Sequence, residues 1–115
     1  MSKIALFPFN GEMTCFIHVL LNALDMAEKG HEVRIVIEGA ATGLVPELAK
    51  PENPMHGLWV KVKSQGLVAG TCKACSAKMG VLEAARAEGL RLLDDMHGHP
   101  GMAAWMAQGY TVITF

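Results

Sequence analysis

Four short motifs that end in glycine divide this sequence into repeated helix-to-strand steps. They are Glu28-Lys29-Gly30, Ser64-Gln65-Gly66, Ala87-Glu88-Gly89 and Ala107-Gln108-Gly109, and each is followed at once by an apolar segment. A glycine just after a helix supplies the left-handed conformation that commonly ends helices. A helix that leads directly into a strand is the second half of a βαβ unit, whose strands run parallel. The pattern therefore predicts an α/β protein with a parallel sheet.

Five apolar segments supply the strands of this predicted sheet: residues 4–9, 31–38, 67–70, 90–93 and 110–115. The first is continuously apolar and the second is rich in β-branched residues, as buried strands are. Because crossovers between parallel strands are right-handed, few topologies remain. We predict a single domain over residues 1–115, a three-layer α/β/α fold with a five-stranded parallel sheet in the flavodoxin-like order 2-1-3-4-5.

Apolar residues at helical spacing predict the connections between the strands. Phe16, Val19, Leu20 and Ala23 follow the i, i+3, i+4 pattern of a helix that packs one face on a core. We expect further helices at 44–49, 55–62, 72–89 and 100–108, with a flexible loop at 39–43. Pro100 suits the first position of a helix, so the segment His99-Pro100 can be the entry to the last helix.

Charge and composition exclude several classes of protein. The 115 residues carry a net charge of −1, so no basic surface is expected to hold a nucleic acid. The apolar segment 13–24 is interrupted by Thr14, His18 and Asn22, which argues against a membrane span. The first apolar run is too short for a signal peptide. Three cysteines without a secretory signal predict free thiols in the reducing cytoplasm.

Cys72 lies where the third strand is expected to join its helix, and Cys75 follows one helical turn later. Unpaired backbone N–H groups and the helix dipole favour a thiolate at a helix start. The thiolate is the reactive form of cysteine, and Lys73 and Lys78 add positive charge nearby. These residues predict a site for sulfur chemistry at the end of the third strand, with the Cys72 sulfur within reach of solvent.

The carboxyl ends of parallel strands share one edge of the sheet, where ligands bind. The predicted strand order places the crevice between Asn10-Gly11 and Cys72, with Cys15 in the first helix able to face it. His97 and His99, after the fourth strand, belong to the same edge and can act as proton relay, ligand or helix entry. Asn10-Gly-Glu12 differs from a dinucleotide-binding glycine motif, so no nucleotide cofactor is expected.

Four interpretations of the Cys72-Lys-Ala-Cys75 segment remain open from the residues alone. Cys72 can carry sulfur as a persulfide, with Cys75 as the resolving thiol, or the pair can be a dithiol redox centre. The two thiolates can also bind zinc with His97, His99 or Cys15, although their spacing matches no standard zinc finger. Finally, both cysteines can be small buried residues without chemistry.

Several segments resemble the DsrE/DsrF-like family when taken together in order. They are Leu67-Val-Ala-Gly-Thr-Cys72 with its small-residue helix to Gly80-Val81, the first strand and helix, the Trp59 helix leading into Gly66, Gly98-His-Pro-Gly-Met-Ala103 and Gly109-Tyr-Thr-Val-Ile-Thr-Phe115. The resemblance implies a flavodoxin-like three-layer fold and assembly into homotrimers or homohexamers.

For members that keep the cysteine, the resemblance implies persulfide relay between sulfur donor and acceptor proteins. The position that matches the sulfur-carrying cysteine is Cys72, whereas Cys75 departs from the relay pattern and leaves room for redox or metal use. A shared fold does not secure a shared activity. The alternative is therefore a non-catalytic oligomeric binding module, which the eight methionines and the low charge also suit.

Overall fold

The computed structural model describes residues 1–115 and contains five strands and six α-helices. The strands are β1 (Lys3–Phe7), β2 (Glu32–Ile37), β3 (Val68–Cys72), β4 (Leu92–Leu93) and β5 (Thr111–Thr114). The helices are α1 (Met13–Glu28), α2 (Val45–Leu48), α3 (His56–Ser64), α4 (Lys73–Lys78), α5 (Leu82–Ala87) and α6 (Met102–Ala107), and a 3-10 helix, Gly39–Leu44, follows β2.

All five strands run parallel in one sheet, which confirms the predicted fold class. Their order is β4-β3-β2-β1-β5, so the expected order 2-1-3-4-5 was wrong. Strands β1 to β4 are neighbours in chain order. Only the last connection, through α6, crosses the whole sheet, and it places β5 beside β1. Consecutive strands are neighbours in about two-thirds of cases, and no residue pattern marks which connection must return.

Helices cover the two faces of the sheet unequally. The larger core lies on the face that α1, α2 and α3 cover, where Phe16 and Trp59 pack on the β1 and β2 side chains Leu6 and Ile35. The opposite face carries α6 alone, and Trp105 there packs around Phe7 and Tyr110. The domain therefore has three layers, of which the second helical layer is a single short helix.

The four glycines predicted to end helices do so. Gly30, Gly66, Gly89 and Gly109 have φ values between 71° and 89°, the left-handed region that other residues rarely adopt. Gly80 has the same conformation, with φ of 72°, and it divides the expected helix over 72–89 into α4 and α5. That expectation of one continuous helix was wrong because a left-handed residue ends a helix.

Two other expectations need correction near the carboxyl edge of the sheet. The segment 39–43 belongs to a 3-10 helix instead of a flexible loop, since Ala41 is buried and Thr42 Oγ1 donates a hydrogen bond to the Gly39 carbonyl at 2.8 Å. Pro100 does not open the last helix, because Gly101 is the residue that precedes α6. None of the helices has the length and apolar composition needed to cross a bilayer.

Candidate functional site

The connections that leave β3 and β4 diverge to opposite faces of the sheet. After β3 the chain forms α4 and α5, which contact the 3-10 helix and α2 on the first face, whereas after β4 it forms α6 on the second face. A crevice opens at such a divergence, beyond the carboxyl ends of the strands. The candidate site therefore lies between β3 and β4.

The crevice expected between Asn10 and Cys72 was wrong, because β2 separates β1 from β3. The 3-10 helix that follows β2 fills this position and packs closely on the loop after β1. A β-carbon added to Gly11 would lie 3.2 Å from Cβ of Ala40, and one added to Gly39 would lie 2.8 Å from the carbonyl oxygen of Phe9. This close packing closes the edge of the sheet at β1 and β2, so the crevice lies between β3 and β4.

Cys72 is both the last residue of β3 and the N-cap of α4, the junction that the sequence predicted. Its Sγ accepts a hydrogen bond from the backbone N–H of Cys75 at 3.3 Å. The geometry of an N-cap thus brings the two cysteines of the Cys-x-x-Cys segment together, since a cap side chain faces the N–H groups one turn later.

Cys72 is nevertheless fully buried, with 0% of its surface exposed, so the expectation that its thiol reaches solvent was wrong. Burial raises the pKa of the Cys72 thiol from an ordinary 9.0 to about 12. The hydrogen bond from the Cys75 N–H lowers this pKa in part, while the Cys75 side chain and the Glu38 charge raise it further. Loss of hydration therefore outweighs the helix start that was expected to favour the thiolate.

Of the two thiols, that of Cys75 is the accessible one, because Cys75 lines a cavity. It is half-buried and lines a cavity of about 400 Å³ together with His99. The other lining residues come from the 3-10 helix and from α4 and its end: Gly39, Ala40, Ala74, Lys78 and Met79. A small molecule or the tip of a partner's side chain can therefore reach Cys75 before it reaches Cys72.

A tight turn after β4 positions His99 beside the two cysteines. His97 and Gly98 both have positive φ, 51° and 89°, as the central residues of a type I′ turn do. Met96 and His99 exchange two backbone hydrogen bonds, of 2.6 and 2.9 Å, across that turn. The Gly98 carbonyl then accepts a 2.9 Å hydrogen bond from the Ala74 N–H, which fixes the turn against the start of α4.

One nitrogen of the His99 imidazole lies close to both sulfur atoms. Nδ1 lies 3.1 Å from Sγ of Cys72 and 3.6 Å from Sγ of Cys75. The three side-chain donor atoms all lie within 4.8 Å of one another. Such an arrangement can accept a thiol proton on the imidazole, as a base beside a cysteine does, or hold a soft metal ion.

Glu38 is a site residue that the sequence reasoning missed. It follows directly after β2, is 5% exposed, and lines a second cavity of about 460 Å³ together with His99. Burial and the negative charge of Asp95 raise the pKa of its carboxyl to about 7. The available signal was its position, since an acidic residue directly after a buried strand must lie at the carboxyl edge of the sheet.

Five of the other predicted site residues lie outside this group. Asn10 uses its side-chain oxygen to accept a hydrogen bond from the Glu12 N–H, and Cys15 is exposed on α1. Lys73 is half-exposed and its Nζ lies 3.6 Å from an Asp94 oxygen, while the His97 side chain is exposed on the turn. Gly11, as described above, lies against Ala40 of the 3-10 helix that follows β2.

Comparison with known proteins agrees with the fold and with the sequence motifs. The model of the DsrE/DsrF-like family matches residues 17–115. An uncharacterized protein of Methanocaldococcus jannaschii is 33% identical over 101 residues, which cover 88% of this chain and 80% of that protein. An uncharacterized protein of Archaeoglobus fulgidus is 40% identical over 40 residues, which cover 35% of this chain and 66% of that protein. No solved structure matches significantly. The family match covers most of the chain, and the protein belongs to the DsrE/DsrF-like family.

Proposed function

We propose that this protein is a sulfur-transfer protein that carries sulfane sulfur as a persulfide on the Cys72–Cys75 pair. The observation that supports this proposal best is that Nδ1 of His99 lies within 3.6 Å of both sulfur atoms. A single base next to two thiols can take the proton from whichever cysteine reacts. Membership of the DsrE/DsrF-like family supports the same class of chemistry.

Cys75 receives the sulfur, because it lines the 400 Å³ cavity and Cys72 does not. Its thiol proton passes to His99, and the resulting thiolate attacks the outer sulfur of a donor persulfide. A new S–S bond forms on Cys75, the S–S bond of the donor breaks, and the donor leaves as a thiolate that regains the proton from the imidazole. The net reaction exchanges one sulfur atom between two thiols without an oxidant or a reductant.

Cys72 then stores the sulfur in the protein interior. The Cys72 thiol proton passes to His99, and the sulfur attacks the outer sulfur of the Cys75 persulfide. The S–S bond on Cys75 breaks as the new S–S bond on Cys72 forms, and Cys75 leaves as a thiolate that regains the proton from the imidazole. The Cys72 side chain is fully buried, so the stored sulfur is protected from water and from other thiols. The same steps in reverse deliver the sulfur to an acceptor at the cavity. Sulfur donor and acceptor proteins are the proposed partners.

Mass spectrometry of the reduced protein after incubation with a polysulfide tests this function. The wild-type chain and a Cys15→Ser variant are expected to gain the mass of one sulfur on the peptide that contains Cys72 and Cys75. A Cys72→Ser, Cys75→Ser double variant is expected to gain none on that peptide. Equal sulfur uptake by the double variant and the wild type would remove the proposal.

We also propose that the protein works in the cytoplasm as a homo-oligomer, a trimer or a hexamer. All three cysteines are free thiols, which suits a reducing compartment. Met106 is 63% exposed on α6 and Ile113 is 37% exposed on the edge strand β5, so apolar surface remains for contact with another copy. Sedimentation equilibrium tests this proposal, and a monomer at high micromolar concentration would contradict it.

A further inference from the structure

We propose that Cys72, Cys75 and His99 form a binding site for one zinc ion with an open fourth coordination position. The proposal is independent of sulfur transfer, although it uses the same side chains. Its starting observation is that two sulfur atoms and one imidazole nitrogen all lie within 4.8 Å of one another. Of the cysteines and histidines that the sequence offered as ligands, Cys15 and His97 lie outside this group.

The two sulfur-to-nitrogen separations match a zinc site. With Zn–S near 2.3 Å and Zn–N near 2.05 Å, tetrahedral coordination separates sulfur from nitrogen by about 3.5 Å. The observed distances from Nδ1 of His99 are 3.1 Å to Cys72 and 3.6 Å to Cys75. Zinc binding therefore requires shifts of only tenths of an ångström in these contacts.

Hydrogen bonding alone does not account for this arrangement. Nδ1 carries either one proton or one lone pair, so it can form a good hydrogen bond with only one sulfur at a time. Both thiols nevertheless lie next to it, and the backbone gives Cys72 the Cys75 N–H, at 3.3 Å, and the distant Gly98 carbonyl, at 3.9 Å. A cation between the three donors would satisfy them together.

The two carboxyl groups near the site, Glu38 and Asp95, favour a bound cation, whereas Lys78 opposes it. Glu38 lies close enough to act on the Cys72 thiol, and Asp95 acts on Glu38, so ionised thiols would add to existing negative charge. Of the nearby lysines, Lys73 faces Asp94 at the surface and Lys78 lines the cavity beside Cys75. Binding of Zn²⁺ would break two S–H bonds, release two protons to solvent and neutralise both thiolates.

Three protein ligands beside a cavity correspond to an exchangeable site, since structural zinc sites use four protein ligands. The 400 Å³ cavity next to Cys75 and His99 gives the ion a route and leaves room for water or an external thiolate as fourth ligand. A zinc-bound chain would have no free thiol at Cys72 or Cys75, so zinc loading and sulfur loading would exclude each other.

Cobalt substitution of the untagged, reduced, full-length protein tests this site without any sulfur donor. We expect one Co²⁺ per chain, with the thiolate-to-cobalt charge-transfer band and the visible bands of tetrahedral coordination, and displacement by one equivalent of Zn²⁺. Single Cys72→Ser, Cys75→Ser and His99→Asn variants should each weaken Zn²⁺ binding by more than about 100-fold, the upper end of the loss caused by outer-shell changes. Cys15→Ser and His97→Asn should bind as the wild type does.

The wild-type spectrum alone can overturn the proposal, even where a variant fails to fold. Absence of a thiolate-to-cobalt band at saturating Co²⁺, or a band that persists in a folded Cys72→Ser, Cys75→Ser double variant, would show that the site does not bind the metal as proposed. Sulfur uptake is measured separately on metal-free protein, so failure of zinc binding and failure of sulfur transfer give different results.

Discussion

Nδ1 of His99 lies 3.1 Å from Sγ of Cys72, a residue 27 positions earlier in the chain. The contact depends on backbone geometry at both ends. Cys72 is fixed as the N-cap of α4, and the turn that carries His99 is attached to the same helix by the hydrogen bond between the Ala74 N–H and the Gly98 carbonyl. The paired thiol and imidazole are therefore part of the fold itself, because they are held by main-chain contacts.

The three cysteines should differ in their reaction with iodoacetamide. Cys15 is exposed, Cys75 is half-buried and Cys72 is fully buried, so we expect Cys15 and Cys75 to be alkylated in the native protein and Cys72 only after unfolding in urea. Peptide mass spectrometry over a time course measures the order. Alkylation of native Cys72 as fast as Cys15 would mean that its thiol is open to solvent.

Replacement of His99 should slow sulfur loading. In His99→Asn, no imidazole remains to accept the thiol proton, and loss of a general base typically costs about 10²-fold or more in rate. The matched control is His97→Asn, since His97 is exposed two residues away and asparagine tolerates its positive φ. Stopped-flow measurement of persulfide formation compares them. Equal rates in the two variants would exclude His99 as the base.

Replacement of Glu38 should change how stability depends on pH. The folded protein keeps the Glu38 proton up to about pH 7, whereas the unfolded chain releases it near the ordinary pKa of 4.5. Between these values the unfolded state binds fewer protons, so the free energy of unfolding falls as pH rises. Above pH 7 the ionised Glu38 lowers the free energy of unfolding by its full amount. This amount is roughly 3 kcal/mol, at 1.36 kcal/mol per pKa unit.

Glu38→Gln should therefore match the wild type at pH 4 and exceed its stability at pH 8. Urea unfolding at a series of pH values measures the difference, and Glu52→Gln at an exposed loop position is the control. A constant offset between Glu38→Gln and the wild type from pH 4 to pH 8 would contradict the raised pKa.

Gly70 should be intolerant of any side chain. A β-carbon there would lie 2.6 Å from the Arg91 carbonyl oxygen and 2.8 Å from Cγ of Leu93, so Gly70→Ala would push β4 away from β3. Forced packing of this kind costs about 1–3 kcal/mol. Gly57→Ala in α3 is the control, because nothing lies within 4 Å of its added carbon. Equal unfolding free energies for the two variants would contradict the close approach of β3 and β4.

The sequence predicted those features that short-range rules govern. Helix-ending glycines such as Gly30 and Gly66 identified the α/β class, and the change from strand to helix at Cys72 located the junction correctly. The strand order was not predictable in this way, because the return of the last connection to β1 depends on how helices share the two faces of the sheet.

The choice between His97 and His99 also lay beyond the sequence. Both lie in one polar segment, and only the two positive φ values at His97 and Gly98 turn the first outward and bring the second to the sulfurs. The burial of Cys72 was missed for a related reason. Helix-start rules describe local dipoles, while the exposure of a thiol depends on the β4 turn that covers it.

Transfer of radiolabelled sulfane sulfur in a single turnover tests the central claim most directly. The metal-free Cys15→Ser protein is loaded with the label, separated from the donor and mixed with one equivalent of a small acceptor thiol, because an excess of thiol would itself release sulfide and reduce a disulfide. We predict that the label appears on the acceptor, that Cys72 and Cys75 end as free thiols, and that Cys75→Ser prevents loading. Release of the label as sulfide, with a disulfide left between Cys72 and Cys75, would contradict sulfur relay and identify a dithiol redox centre.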